Sequence, residues 1–367
     1  MRFLILNADY QEFLSALYAQ HEGIASRCYE EQLRIRTESL FGDGGFYSTN
    51  LKKLGHEAYD LFINNVSLQR AWAREHGSGW QFRLRRGVVP WLSRVCNSTD
   101  LDEILLAQVK YYKPDILFNH AVQSIDSSLL RAMKPHVRLL VGQIASPFSN
   151  TEWMAQYDLV VTSSPNLLSY FKNLGVTCEF VHLGFEPDVL HRLRPRKPEV
   201  PVSFIGSFFP DHKTRTAFLE FLCADCEINV WGNAIKSLPA ESAIRSKYRG
   251  HAWGINMYEI LRNSKITLNH HTDIAGNYAS NMRLYEGTGV GSLLVSDWKE
   301  NLAELFDIGT EVVAYRSPEE CKELIQYYLY HDAEREAIAS AGQRRTLTDH
   351  TYYCRMKDLT AAVSKHL

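Results

Sequence analysis

Asn269 to Asp297 reads NHHTDIAGNYASNMRLYEGTGVGSLLVSD, and the order of features in that stretch implies how the rest of the chain is built. An apolar run ending at Asn269 closes one strand. A loop of small polar residues follows, then a short helix carrying Glu286, then a second apolar strand running into Asp297. Ser280 and Asn281 are residue types that cap helix N-termini, so Met282 and Arg283 fall at the first helical turn. A cation there opposes the helix dipole by about 0.3–1 kcal/mol, a penalty that a bound anion reverses. The unpaired N–H groups of that turn would face such an anion, and Arg283 would add charge-assisted hydrogen bonds. Glu286 is then placed to accept hydrogen bonds from vicinal hydroxyls such as those of a ribose. The same spacing also fits a surface helix whose Arg283 meets solvent or a neighbour.

Outward from this stretch, apolar strands alternate with helical runs in both directions. Phe3–Asn7, Tyr59–Asn64, Asp115–Phe118, Arg138–Gln143, Leu159–Ser163 and Glu179–Leu183 carry the strand pattern in the first half. Val202–Ile205, Ile228–Trp231, Ile266–Asn269, Ser292–Ser296 and Glu311–Ala314 carry it in the second. Such alternation predicts an α/β protein with parallel sheets covered on both faces. Between the halves, EPDVLHRLRPRKPEVP (186–201) has the composition of an exposed hinge. The expectation is therefore two Rossmann-like doubly wound domains, 1–190 and 200–349, facing across a cleft, with ligands at the carboxyl ends of the strands.

The composition excludes several classes. Forty basic and 42 acidic residues leave a net charge of −2, so nothing draws the chain globally to nucleic acid. MRFLILNADY reads as a first buried strand, too short for a signal-peptide core or a membrane span. Seven scattered cysteines do not form a disulfide framework, which points to the cytoplasm. Cys223 and Cys226 form a lone C-x-x-C closing a helix and read as structural. Asp100 and Asp102 form the sole D-x-D, but at the start of an amphipathic helix, where acidic residues favour the dipole.

A second anion cradle is expected where the strand VSFI runs into Gly206 and Ser207. Asp211 can cap the next helix, and His212, Lys213 and Arg215 crowd its first turn, although a solvated basic turn has the same composition. Without G-x-x-x-x-G-K-[ST] spacing, this is not a nucleotide-hydrolysing P-loop. Trp231 ends the next strand, and Gly250, Trp253 and Gly254 precede a helix expected to start near Asn256, where stacking or backbone contacts could border a nucleobase and plain turn chemistry fits equally well. His270, His271 and Asp273 leave a strand end; adjacent histidines without a third ligand do not make a metal site, so they are expected to meet phosphate or sugar hydroxyls. Gly287, Gly289 and Gly291 end a helix instead of opening one, so they read as close-packing positions. In the first half, His120 and Asp9 each follow a strand and are candidate general bases for a hydroxyl. RAWAREHGSGWQFRLRRGVVPWLSR (70–94) interleaves arginine with tryptophan, fitting either inward-packed tryptophans or a surface for a charged or lipid-linked partner with peripheral membrane contact.

The stretches VSFIGS, INVWG, YRGHAWGINMYEILRNSKITLN, NMRLYEGTGVGSLLVSD and ELFDIGTEVVAY resemble group-1-type glycosyltransferases of the two-domain GT-B fold, in particular the spore-maturation-protein-like branch. That resemblance implies transfer of a sugar from a nucleoside-diphosphate donor to a hydroxyl on a glycan, lipid-linked or other acceptor, with no metal and no further cofactor. It implies Glu286 as the ribose-binding glutamate, the Asn281–Arg283 turn and the basic turn as diphosphate contacts, and a final helix (350–367) crossing back to the first domain. The family's acidic residue eight positions before Glu286 is replaced by Tyr278. Two other readings fit the same residues: a nucleotide-sugar epimerase, and a non-catalytic nucleotide-sugar-binding or surface-assembly protein.

Overall fold

Apolar runs such as Phe3–Leu6, Leu139–Val141 and Leu293–Val295 are buried throughout their length, the signature of strands covered on both faces. The computed structural model describes residues 1–77, 98–146, 151–209 and 212–367. Asp211 and the Trp80–Arg94 part of the arginine–tryptophan stretch lie outside the described residues. Two compact units emerge: Met1–Thr162 with Phe171–Glu179 and Leu359–Leu367, and Ser163–Tyr170 with Phe180–Asp358.

The first unit runs β1 (Arg2–Asn7), α1 (Gln11–Gln20), α2 (Tyr29–Glu38), α3 (Phe46–Lys53), β2 (Glu57–Phe62), α4 (Val66–His76), α5 (Ser98–Tyr112), β3 (Ile116–Asn119), α6 (Ser127–Met133), β4 (Leu139–Gln143), α7 (Thr151–Met154) and β5 (Leu159–Thr162). After α8 (Pro165–Asn173) comes β6 (Cys178–Phe180), and the strand order is β2-β1-β3-β4-β5-β6. The pairings among β1 to β5 are parallel. Three helices fill the connection between β1 and β2. The described part of the arginine–tryptophan stretch packs inward: Trp72 on α4 is buried with Phe62, Leu68 and Ile104 and stacks on His76 at 4.8 Å.

The second unit runs β7 (Val200–Ile205), α9 (Lys213–Asp225), β8 (Ile228–Trp231), α10 (Ala243–Lys247), α11 (Gly254–Arg262), β9 (Ser264–Asn269), α12 (Arg283–Gly289), β10 (Leu293–Asp297), α13 (Leu302–Leu305), β11 (Val313–Tyr315), α14 (Pro318–Tyr330), α15 (Asp332–Asp349) and the start of α16 (Tyr352–Ser364), whose residues from Leu359 on belong to the first unit. Its sheet, β11-β10-β9-β7-β8, is parallel throughout. Helices α9, α10 and α14 pack together, as do α11, α12 and α15. The sheet is doubly wound, and the expected α/β fold class is the observed one.

The proline-rich stretch 186–201 is mostly exposed or half-buried, as expected, yet it is fastened to the second unit and does not run as a free linker. Glu186 and Val189 are buried, and the Arg194 and Lys197 N–H groups donate to Glu259 and Asn263 side chains at 2.8 and 2.7 Å. Arg196 is ion-paired with Glu336. Prolines that would favour a linker instead rigidify a strap fastened to α11 and α15, because the basic residues between them find carboxylate and amide partners there. Among the described residues, no helix is long and apolar enough to cross a membrane.

The glycines of α12 pack as their position after a helix implied. A Cβ on Gly287 would lie 3.0 Å from Thr267 of β9, and one on Gly289 would lie 2.4 Å from the buried ring of Phe185. Gly289→Ala should therefore destabilise the protein by about 1–3 kcal/mol through overpacking. Urea unfolding followed by tryptophan fluorescence checks this; an unchanged midpoint would show that Phe185 moves aside freely.

Candidate active site

The exit of β7 is built on a backbone contact that side chains would forbid. The Gly206 N–H donates to the Trp231 carbonyl at 3.0 Å. Gly232 has φ +152°, and a Cβ there would stand 1.7 Å from the Gly206 oxygen. This close approach draws the ends of β7 and β8 together and lets two arginines reach the same turn. Arg215, on the first turn of α9, donates to the Ser207 carbonyl and to His212 Nδ1 at 2.7 Å. The same Nδ1 lies 3.0 Å from the Ser207 carbonyl oxygen. Burial lowers the Arg215 pKa to about 10, opposed by Asp273 and Asp297, so the group stays charged at neutral pH. Its Nε has no hydrogen-bond partner among the described residues. Lys213, the first residue of α9, is exposed.

Arg283 approaches from α12. Its Nη2 lies 3.4 Å from the Ile205 carbonyl, and its Nη1 pairs with Glu286 at 2.8 Å. Glu286 is 4% exposed, and the Arg283 Nε is buried without a hydrogen-bond partner among the described residues. The guanidinium groups of two helices thus converge on the carbonyls flanking Gly206, each with an unsatisfied donor. A buried donor left in that state is costly, so its natural complement is an anionic oxygen.

Ser280 and Asn281 do not cap α12. The cap position is Met282, already helical at φ −62° and ψ −31°, with no side-chain cap bond. The Ser280 hydroxyl instead sits 3.2 Å from that of Ser164. The Asn281 amide donates to the Asn269 side chain at 2.8 Å. Tertiary partners outcompete the local cap because both residues are tied to neighbouring segments. Gly254 opens α11 at φ +53°, a left-handed conformation that suits glycine. Its neighbour Trp253 stacks on His251 at 4.5 Å.

His270 and His271 lie in the wall of a pocket of about 750 Å³ at the carboxyl ends of β9, β10 and β11, with the Arg215 charge near enough to act on His270. Tyr315 donates its hydroxyl proton to the Asn269 carbonyl at 2.8 Å, so its oxygen accepts from His270 Nδ1–H at 2.9 Å. Burial pushes the His270 pKa down to about 4, leaving a neutral ring whose Nε2 is an acceptor. His271 Nδ1 lies 2.7 Å from the Asp297 carboxylate. Burial alone would raise the Asp297 pKa, but the hydrogen bond and charge of His271, with His270 and Lys299, bring it well below the usual carboxylate range.

In the first unit, two adjoining hollows of about 320 and 290 Å³ share Ala8, His120, Gln143 and Ala145. His120 Nδ1 lies 3.7 Å from the Asp43 carboxylate, and Tyr47 meets the ring edge-on at 4.6 Å. Burial lowers the His120 pKa, with Asp43 and Asp60 opposing, so the ring is neutral at pH 7. Its Nε2 has no hydrogen-bond partner among the described residues. Asp9 has a different occupation: Arg36 holds both its oxygens, at 2.7 and 2.5 Å, beneath the ring of Phe62 at 4.1 Å. A carboxylate held by a buried guanidinium is a poor proton acceptor, so His120 is the better-placed base. Cys223 and Cys226 are buried free thiols, with Cys223 raised to about 12 by burial, as suits structural residues.

Sequence reasoning missed Gly232, Asp43, Arg36 and Asp297. Gly232 was legible as the glycine after a strand, in WG. The other three become visible only through their partners.

Residues 190–361 match the family described as Glycosyl transferase-like. Among solved structures, a glycosyltransferase from Rickettsia africae is 13% identical, covering 100% of this chain and 98% of that one, with a TM-score of 0.58. Anabaena HepE, in complex with UDP and glucose, is 12% identical over 100% of both chains, TM-score 0.58. AviGT4, a glycosyltransferase involved in avilamycin A biosynthesis, is 14% identical over 100% and 97%, TM-score 0.57. No curated protein sequence matches the chain. The two parallel sheets have the GT-B architecture of those solved structures.

The Asp297 cluster makes a pH-dependent prediction. A depressed folded-state pKa means that its stabilisation is complete above the ordinary value of 3.8 and is lost as pH falls through the folded value. Asp297→Asn should cost about 3 kcal/mol at neutral pH, with the difference from the parent chain flat down to about pH 5 and shrinking below about pH 4. Denaturation series at several pH values test this; a difference that grows on acidification would refute it.

Proposed function

We propose that the chain moves a sugar from a nucleoside-diphosphate donor to an acceptor hydroxyl, with the diphosphate held in the second unit at the exit of β7. The observation that carries the proposal is the convergence of Arg215 and Arg283 on the carbonyls of Ser207 and Ile205, with Glu286 beside Arg283. Two partly unsatisfied guanidinium groups stabilise charge that develops on the departing diphosphate, without needing a metal to do so. Glu286 exchanges one hydrogen-bond partner for ribose hydroxyls when the nucleotide enters. Gly254 and Trp253 border the base, while Lys213 and His212 line the rim.

In the first unit, His120 Nε2 accepts the acceptor's hydroxyl proton as that oxygen bonds to the anomeric carbon and the bond to the diphosphate oxygen breaks. The acceptor is a glycan or lipid-linked hydroxyl. The six described cysteines are free thiols, in keeping with a cytoplasmic enzyme. The stretches NMRLYEGTGVGSLLVSD and YRGHAWGINMYEILRNSKITLN support placing the chain in the spore-maturation-protein-like branch. HepE was solved with UDP-glucose, which makes UDP-sugars the first donors to try.

Calorimetric titration of nucleoside diphosphates without added metal tests the donor site. Glu286→Ala should weaken binding by about 1–3 kcal/mol; equal affinity would remove the ribose role, and failure of every diphosphate to bind would remove the transferase reading. His120→Ala should lower turnover by about 10²–10⁴-fold while sparing donor affinity. Since neutral His120 is the base and burial lowers its pKa, kcat/KM should hold as pH falls through 6.5 and drop only below it. An acid limb at or above that value would exclude His120 as the base.

A further inference from the structure

The pocket of about 750 Å³ that contains His270 includes none of Arg283, Glu286, Trp231 or Gly254 among its lining residues. It is framed by the N-terminal half of α9 and the segments that leave β9, β10 and β11; Thr214 at one end adjoins Arg215, whose charge reaches His270, while the aromatic part of the hollow is lined by other residues. Two of the protein's exposed large apolar side chains meet in it: Phe221 is 38% and Trp298 37% exposed. Behind them Phe218 and His270 stack at 4.2 Å, with Tyr315 continuing the ladder 5.1 Å from Phe218. Aromatic faces left open to water inside a hollow are unfavourable unless a ligand covers them.

The polar groups narrow the chemistry. Lys299 is already engaged, 2.7 Å from the Gly276 carbonyl and 3.3 Å from Asp297. The Arg316 guanidinium lies over Trp298 at 4.0 Å, while the Asp273 carboxylate lies on the opposite, β9 side of the lining. One remaining cation and one remaining anion balance, so the site does not select a charged ligand. It offers instead ring faces, a carboxylate and guanidinium suited to paired hydroxyls, and the His270 Nε2 acceptor. A sugar ring presents an apolar C–H face and a rim of hydroxyls, which complements both sets. The volume lies within the roughly 300–1,000 Å³ typical of ligand sites and has room for more than a single hexose.

We infer that this pocket binds a neutral oligosaccharide, the glycan portion of the acceptor or product, through Trp298, Phe221, Asp273, Arg316 and His270. The inference takes its meaning from the transferase proposal, but its test is independent of turnover. The probe is a panel of neutral trisaccharides built from glucose, galactose, mannose or N-acetylglucosamine, titrated against the full chain by calorimetry and tryptophan fluorescence. At least one should bind, and Trp298→Ala and Asp273→Asn should each weaken it about tenfold or more. Phe221→Ala is the second aromatic probe, and both aromatic positions are exposed enough for replacement without loss of the fold. Nucleoside-diphosphate affinity, titrated in Trp298→Ala and Phe221→Ala, should stay within about twofold of the parent.

The inference is overturned if no trisaccharide binds at concentrations up to about 10 mM, or if binding is equal in Trp298→Ala and Phe221→Ala. It is also overturned if only nucleotides bind and Trp298→Ala abolishes them, since the pocket would then belong to the donor. Loss of diphosphate binding in the parent chain, with trisaccharide binding intact, would refute the transferase proposal and leave the glycan site standing.

Discussion

Asp297 is the buried charge on which the carboxyl edge of the second sheet depends. It ends β10, and its carboxylate receives the His271 backbone N–H at 3.1 Å and ring Nδ1–H at 2.7 Å. Lys299 lies 3.3 Å from its other oxygen. Ser296 links the same cluster to Asn269, whose amide donates to the serine hydroxyl at 2.9 Å. Asn281 then joins by its bond to Asn269. A carboxylate buried without these partners would be neutralised by a pKa rise; with them it stays charged and pins the exits of β9 and β10 and the loop leading to α12. The direction in which Arg283 and Glu286 are presented follows from that anchorage.

A second constraint acts at β7 and β8. Two backbone segments approach so closely at Gly206 and Gly232 that no Cβ fits between them. The Gly206 backbone fills the place of a Gly232 side chain, and the carbonyls on either side of Gly206 accept from guanidinium groups. Arg215 and Arg283 come from helices on different helical groups of the doubly wound sheet, yet each reaches a carbonyl adjoining Gly206. Electrostatic stabilisation of a departing diphosphate requires donors fixed in advance of the reaction, and the double anchoring of these arginines provides such fixity.

Much of the fold was legible because it rests on local pattern. Ile228–Trp231 coincides with its expected bounds, and strands such as β1, β4 and β10 differ by a residue or two, since two-sided burial demands continuous apolar runs. The pairing of Arg283 with Glu286 was implicit in their i, i+3 spacing. The proline-rich strap misled because composition records solubility in isolation and not the carboxylates of Glu259 and Glu336 that receive it. Ser280 and Asn281 misled for a related reason: a side chain with cap chemistry bonds to whichever partner the fold brings nearest.

The sequence by itself determined the alternation that makes two parallel sheets, the glycines that allow close approach, and the residue types of an anion-binding turn beside a carboxylate. These follow from periodicity and backbone sterics, which act over a few residues. Only the tertiary structure decided that Asp9 is held by Arg36 while His120 keeps an unpaired nitrogen, that Arg215 and Arg283 converge, and that His270 faces an aromatic pocket. Each of those outcomes depends on contacts between residues far apart in the chain, where burial and partner geometry, and not residue type, set what a side chain can do.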